Sequence, residues 1–221
     1  IERLKGKANR DRLRDRMEKG GEGFDNIAGM VGWENIIMST LNTPANKRFE
    51  GMTVQDIAKA RGTDPVDCVC DMLIEENCAI TMIDFITCEE DIARILNCGF
   101  ASVISDSIYP ASGRPHPRLY GTYARIIQRF VGERRDMTLE AAIKAMTYTP
   151  AKALNIADRG LLREGLCADV NVFDPAEVKE RGSYADPDKC AAGMDYVFVN
   201  GKPAIAAGEL TGGAFGQVIR R

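Results

Sequence analysis

The stretch Ala101-Ser-Val-Ile-Ser-Asp-Ser-Ile-Tyr-Pro-Ala-Ser-Gly-Arg-Pro-His-Pro-Arg-Leu-Tyr-Gly121 governs how the rest of the chain is read. The apolar run Phe100 to Ile104, bounded by turn residues, predicts a buried strand. It ends in Ser105-Asp106-Ser107, and a carboxylate at the C-terminal end of a buried strand is where parallel α/β barrels carry catalytic groups. A loop rich in Pro and Gly follows, with the only histidine, His116, and then Arg118. Leu119, Tyr123, Ile126, Ile127 and Phe130 recur at helical spacing and predict an amphipathic helix. Asp106, His116 and Arg118 thus gather at the mouth of one strand. The same residues also fit a plainer description, with Asp106 a strand-end cap and His116 a surface loop residue. This stretch by itself leaves both open.

Upstream, residues 1 to about 20 are highly charged and predict a solvated helix ended by Gly20-Gly21-Glu22-Gly23. Its basic excess is a wet face or, less simply, a nucleic-acid arm. Trp33 to Leu41 and Cys78 to Phe85 are strand candidates. Between them Thr53 can cap a helix through Ala60, and Asp64-Pro65 is an N-cap followed by Pro at the first helical position. That second helix is expected to bury Val66, Val69, Cys70, Leu73 and Ile74. Thr87-Cys-Glu-Glu90 is a capping-box pattern leading to the helix with Ile92, Ile95 and Leu96. Alternation of strands with helices favours a parallel sheet or barrel.

Downstream, Thr138 opens a helix carrying Leu139, Ala142, Ile143 and Met146, and Thr149-Pro150 starts a shorter one. The character changes near Gly160. Ala168 to Asp174 alternates as a strand does, and Asp195–Val199, Asn200-Gly201 and Lys202–Ile205 read as a hairpin, since Asn-Gly suits the two positive φ values of a type I′ turn. The sequence therefore divides into a body, residues 1–158, and a small β module with a tail, residues 159–221.

Composition excludes several classes. With 45% apolar and 28% charged residues the chain is ordinary globular material. A net charge of −3 gives no general pull toward nucleic acid or anionic membrane. No apolar run approaches the roughly 20 residues of a membrane span, and the charged start Ile1-Glu-Arg-Leu-Lys5 is not a signal peptide. Seven cysteines without framework spacing read as reduced thiols of a cytoplasmic protein. Cys68 and Cys70 are a lesser candidate for a metal pair.

Ser105-Asp106 with His116-Pro-Arg-Leu-Tyr-Gly121 resembles the D-aminoacylase (N-acyl-D-amino-acid deacylase) family of the amidohydrolase superfamily. So do Met146-Thr-Tyr-Thr-Pro-Ala-Lys-Ala-Leu154, Arg159-Gly-Leu-Leu-Arg-Glu-Gly165, Ala168-Asp169 and Val199-Asn-Gly201. The downstream motifs mark only the superfamily, and His-Pro-Arg-Leu-Tyr-Gly is the more discriminating one. The resemblance implies a metal-dependent (β/α)₈ barrel with a small β-sandwich, here the last barrel strands and helices plus the C-terminal sandwich segment. It implies Ala101–Ser105 as the last barrel strand, Asp106 as the catalytic aspartate that handles the proton of the attacking water, and Arg118 as the group gripping the substrate's α-carboxylate. A guanidinium suits that role because its planar fork pairs bidentately with carboxylates. His116 and Tyr109 are placed on the substrate side, His116 as a shaper of the loop. Asp106 is also the one metal ligand the resemblance implies in this chain, weak by itself.

Two departures stand beside the resemblance. The family's zinc site needs several histidines, including a His-x-His pair, and a cysteine, whereas one histidine makes such a pair impossible here. Ile104 and Ser107 stand where many members have Gly. The start at Ile1 and the missing zinc donors together predict the C-terminal portion of a longer, zinc-dependent enzyme. Such a piece is expected to bind no zinc tightly, to be inactive alone, and to pair with a missing N-terminal half or with itself. The activity implied is hydrolysis of small N-acyl-D-amino acids, with no nucleic-acid or membrane partner. The alternatives are a non-catalytic assembly fragment and a cyclic-amide hydrolase of the dihydroorotase or hydantoinase type, which would not require Arg118.

Overall fold

The computed structural model describes residues 1–20, 22–109 and 112–220. Gly21, expected in the helix break, and the loop residues Pro110 and Ala111 lie outside the described residues, as does Arg221. The chain forms two compact units. The first comprises residues 1–87, 108–116 and 184–187; the second comprises 88–107, 117–183 and 188–221. The sequence boundary at 158/159 lies inside the second unit.

In the first unit, α1 (Glu2–Lys5) and α2 (Lys7–Lys19) bury no residue. Arg10 pairs with Asp67 at 3.1 Å and Asp71 at 2.6 Å, and Arg14 with Asp64 at 2.9 Å and Asp67 at 3.0 Å. These two α2 arginines are thus spent inside the unit. After α3 (Ile27–Val31), β1 (Ile36–Thr40) leads to α4 (Val54–Arg61) and α5 (Pro65–Glu75). Both caps form as the sequence predicts: Thr53 accepts from the Asp56 amide, and Asp64 accepts from those of Val66 and Asp67. The core gathers Ile36, Met38, Leu41, Val54, Ile57 and Met72. The fully buried residues of α5 are Cys68, Cys70 and Met72, with Leu73 and Ile74 only half-buried. Docking of α2 on α5 covers a second side of that helix and shifts its buried face.

β2 (Thr81–Asp84) pairs antiparallel with β1, Ile37 opposite Ile83. This corrects the parallel expectation. Two helices intervene, and each reverses the chain, so β2 returns opposite to β1. The buried Glu76 carboxylate, 3% exposed as a residue, closes the loop after β1. It accepts from the Asn42 amide at 2.6 Å, the Thr43 amide and hydroxyl, and Asn46 Nδ2 at 2.9 Å. Residues 112–116 dock on β1: Ser39 Oγ donates to the Arg114 carbonyl at 2.7 Å and Thr40 Oγ1 to that of Ser112 at 3.3 Å.

The second unit opens with α6 (Glu89–Leu96). No capping box forms. The N-cap is Cys88, one residue past Thr87, and its thiol donates to Asp91 Oδ2 at 3.3 Å instead of capping a backbone amide, while Glu89 and Glu90 pair with arginines. Residues 101–105 form no regular secondary structure and no strand, a second correction. Val103 is buried and its amide donates to the Ala145 carbonyl at 3.0 Å, while Ile104 is exposed. A strand needs a ladder neighbour, and no described strand pairs with this segment.

From Arg118 one helical rod runs as α7 (Arg118–Arg125) into a π-helix, Ile126–Glu133. α8 (Leu139–Met146), capped by Thr138, and α9 (Tyr148–Ala153) follow. Val103, Ile126, Phe130, Met137 and Ala142 share one core cluster. The C-terminal module is a single antiparallel meander of β3 (Val170–Phe173), β4 (Met194–Val199), β5 (Lys202–Ala206) and β6 (Glu209–Leu210). The β4–β5 turn carries Asn200 and Gly201 at φ 51° and 76°, as the Asn-Gly pair predicts.

Candidate active site

Asp106 follows the 101–105 segment and has φ 44°. This left-handed region is rare for residues other than Gly, and Asp and Asn tolerate it best. Ser107 Oγ donates across it to the Ser105 carbonyl at 3.1 Å. The turn holds the carboxylate outward, with its side chain 78% exposed. Arg118 is the first residue of α7, entered through the buried Pro115 and Pro117. Prolines fix φ, so they give the loop little freedom in where the helix begins. Arg118 Nη2 meets Asp106 Oδ2 at 3.2 Å. The sequence places these residues 12 apart, and the fold joins them as an ion pair.

Tyr109 and His116 belong to the first unit. Tyr109 is exposed. His116 is half-buried, its Nε2 3.4 Å from the Tyr184 hydroxyl and its ring edge-on to the Tyr184 ring at 5.2 Å. Phe85 packs edge-on against the same Tyr184 ring at 4.9 Å. His116 thus shapes an aromatic cluster within that unit.

The donor set does not fit a zinc site. Among the described residues no group of three or more His, Cys, Asp or Glu is arranged to hold a metal ion. Asp106 is paired with Arg118, and His116 faces Tyr184. Cys68 and Cys70 sit two apart on α5, nearly opposite in direction. Burial pushes both thiols above their ordinary range, away from the thiolate a metal needs.

A second cluster lies along the rod. Glu89, the first residue of α6, accepts from Arg125 Nη2 at 2.9 Å, Arg129 Nη2 at 2.8 Å and Arg134 Nη1 at 3.3 Å. The Arg129 hydrogen bond holds the Glu89 carboxyl below its usual range. Arg125 reaches Glu180 at 3.0 Å as well, and Glu180 lies against Gly121, where a Cβ would come within 2.8 Å of its Cγ. That contact accounts for the glycine closing the His-Pro-Arg-Leu-Tyr-Gly motif. In the sequence Glu89 stands only within the Thr87–Glu90 helix-start pattern; the signal that points to it is the spacing of Arg118, Arg125 and Arg129, which share one helical face.

The sequence profile described as "Amidohydrolase family" matches residues 42–205. The chain belongs to the amidohydrolase family. It falls with the D-aminoacylases, as the His116–Gly121 motif implied. An N-acyl-D-glutamate deacylase of Alcaligenes xylosoxydans xylosoxydans is 36% identical, over 75% of this chain and 32% of its own length. A D-aminoacylase of the same organism is 34% identical, over 78% and 34%. The chain therefore spans about a third of the length of these curated relatives. Among solved structures, the N-acyl-D-glutamate deacylase from Bordetella bronchiseptica, complexed with zinc and a phosphonate mimic of the tetrahedral intermediate, superposes with a TM-score of 0.75. It is 30% identical, over 97% of this chain and 46% of the other. A D-aminoacylase with a binuclear metal centre gives 0.74 at 32% identity, over 84% and 38%. No described helix is long and apolar enough to cross a membrane.

Proposed function

We propose that this chain is the C-terminal part of a zinc-dependent deacylase that hydrolyses N-acyl-D-amino acids to a D-amino acid and a carboxylate. Zinc is named for the Bordetella relative, and the donors for it would come from chain outside these 221 residues. By itself the chain would then hold no zinc and be inactive. Exposed Phe100 and Ile104, in and beside a segment that pairs with no described strand, favour pairing with that other part.

The observation that carries the reading is the Asp106–Arg118 ion pair. A substrate α-carboxylate arriving at Arg118 would replace one carboxylate by another, with charge conserved at the guanidinium. The Asp106 oxygens would then turn to the reacting water. Asp106 takes a proton from that water and returns one to the leaving amine, the ordinary work of a general base and acid. Arg118 orients the acyl-amide bond by holding the far end of the molecule. His116, in its cluster with Tyr184, keeps the loop in shape; Tyr109 is carried to the substrate side by the resemblance alone.

The test compares an N-acyl-D-amino acid with its carboxamide analogue in the whole enzyme. Wild type should favour the acid strongly, and Arg118→Lys should raise KM for the acid and shrink the preference, since Lys keeps charge but loses the fork. An unchanged preference in a folded Arg118→Lys enzyme would overturn the assignment.

A further inference from the structure

We infer that Glu89 is a positioning residue for Arg118, acting through the arginine face of the 118–133 rod. The inference rests on the reading of Arg118 as the carboxylate-binding group. At 3.6 residues per turn, seven residues bring the chain to within about 20° of two full turns. Arg125 therefore lies on the same face of α7 as Arg118. Arg129 continues that face, and Arg134 joins it through the π-helix. There, i to i+5 bonding brings residues five apart onto one side. The Arg134 amide donates to the Arg129 carbonyl at 2.8 Å, and Gln128 Nε2 reaches Glu133 at 2.9 Å by the same spacing.

Glu89 collects Arg125, Arg129 and Arg134 on one carboxylate that is 25% exposed. Arg129 adds a second bond from Nε at 3.1 Å. Glu89 begins α6, the element whose outgoing chain runs through 101–105 to Asp106. The rod begins with Arg118. The clamp therefore ties the element leading to one member of the ion pair to the element carrying the other, and it fixes the rotation of the rod about its axis. Rotation of the rod would swing Arg118 sideways past Asp106. Glu180 backs the clamp from the far side, through Arg125 and through its amide bond to Gln128 at 2.9 Å. Charge is used up within the cluster, so it is a fastener and not an ion-binding site: Glu89, Glu133 and Glu180 face Arg125 and Arg129.

The test uses the whole deacylase with Glu89→Gln, Glu89→Asp, Arg118→Lys and the double variant Glu89→Gln/Arg118→Lys. Glu90→Gln, whose described ion pair is with Arg134, beyond the rod's end, is the control. Glu89→Gln should raise KM about five- to tenfold with a smaller change in kcat, because ground-state and transition-state contacts at Arg118 weaken together. Glu89→Asp should recover part of the loss, and Glu90→Gln should stay near wild type. Glu89→Gln should add little once Arg118 is Lys, the non-additivity of a residue that acts through another. Multiplying effects, or a Glu89→Gln enzyme that loses thermal stability alone while keeping its KM, would overturn the inference. If Arg118→Lys alone leaves KM unchanged, the carboxylate-binding reading is what fails. The clamp is then judged by NMR of nitrogen-labelled arginine. The Arg118 guanidinium signal should move in Glu89→Gln toward its position in Asp106→Asn, and an unmoved signal would sink it.

Discussion

Asp106 separates chemistry from conformation when it is replaced by Asn, Gly and Ala in parallel. Its ion pair with Arg118 spans 3.2 Å between side chains 78% and 43% exposed, and an exposed pair of that kind contributes about 0–1 kcal/mol. Its backbone sits at φ 44°, where Asn and Gly are comfortable and an Ala costs about 1–2 kcal/mol. Asn should therefore leave stability within about 0.5–1 kcal/mol of wild type, and Gly should behave similarly, whereas Ala should lose about 1–3 kcal/mol by adding the two costs. Turnover should follow a different order. All three remove the carboxylate, so each should lower kcat by about two to four orders of magnitude, Asn included. Urea unfolding and steady-state kinetics on an N-acyl-D-amino acid measure the two series. An Ala variant as stable as Asn would refute the left-handed turn. Near-normal turnover in a folded Asn variant would refute the proton-transfer role.

Two predictions concern the scaffold. Glu76→Gln should destabilise the first unit by about 1–3 kcal/mol, because a buried carboxylate accepting several donors is replaced by a group that accepts at one atom only. Those donors hold the Glu76 carboxyl below the usual value of 4.5 against the opposing effect of burial, so its stabilisation is full above that pH and lost as pH falls through the folded value. The acid limb of stability against pH should be shallower in Glu76→Gln. Gly193→Ala should disrupt the second unit far more than its size suggests. A Cβ there would lie 2.3 Å from the Glu177 carbonyl oxygen, and φ 90° is itself unsuited to Ala. Thermal melting that matches wild type would count against this packing.

Local chemistry was legible in the chain and long-range pairing was not. Thr53, Asp64 and Thr138 cap helices as written, and Asn200-Gly201 turns the hairpin. Those signals involve residues within a few positions of each other. Alternation of elements predicts a parallel pair but does not count the helices between strands, and with two between them β2 runs antiparallel to β1. The apolar run before Asp106 predicts a buried strand, yet Phe100 and Ile104 are exposed, only Val103 is buried, and a strand also needs a neighbour to bond. At the site, the motif named Asp106 and Arg118, but their contact depends on a left-handed turn and two buried prolines that periodicity cannot convey. The capping-box pattern hid Glu89, whose partners lie 36 to 45 positions away.

The docking of residues 112–116 on β1 also bears on the order in which the chain folds. Ser39 and Arg114 are 75 positions apart, and Thr40 and Ser112 are 72 apart. The β4–β5 ladder instead closes across a two-residue turn. Closing a long loop costs more chain entropy than closing a short one, and contacts distant in sequence form slowly. The meander is thus set to form early and the Ser112–His116 loop to close late. Until it closes, residues 112–116 stand off β1 and are open to proteolytic nicking during synthesis and refolding. Engagement of β1 by residues 112–116 is therefore the late latch of the first unit.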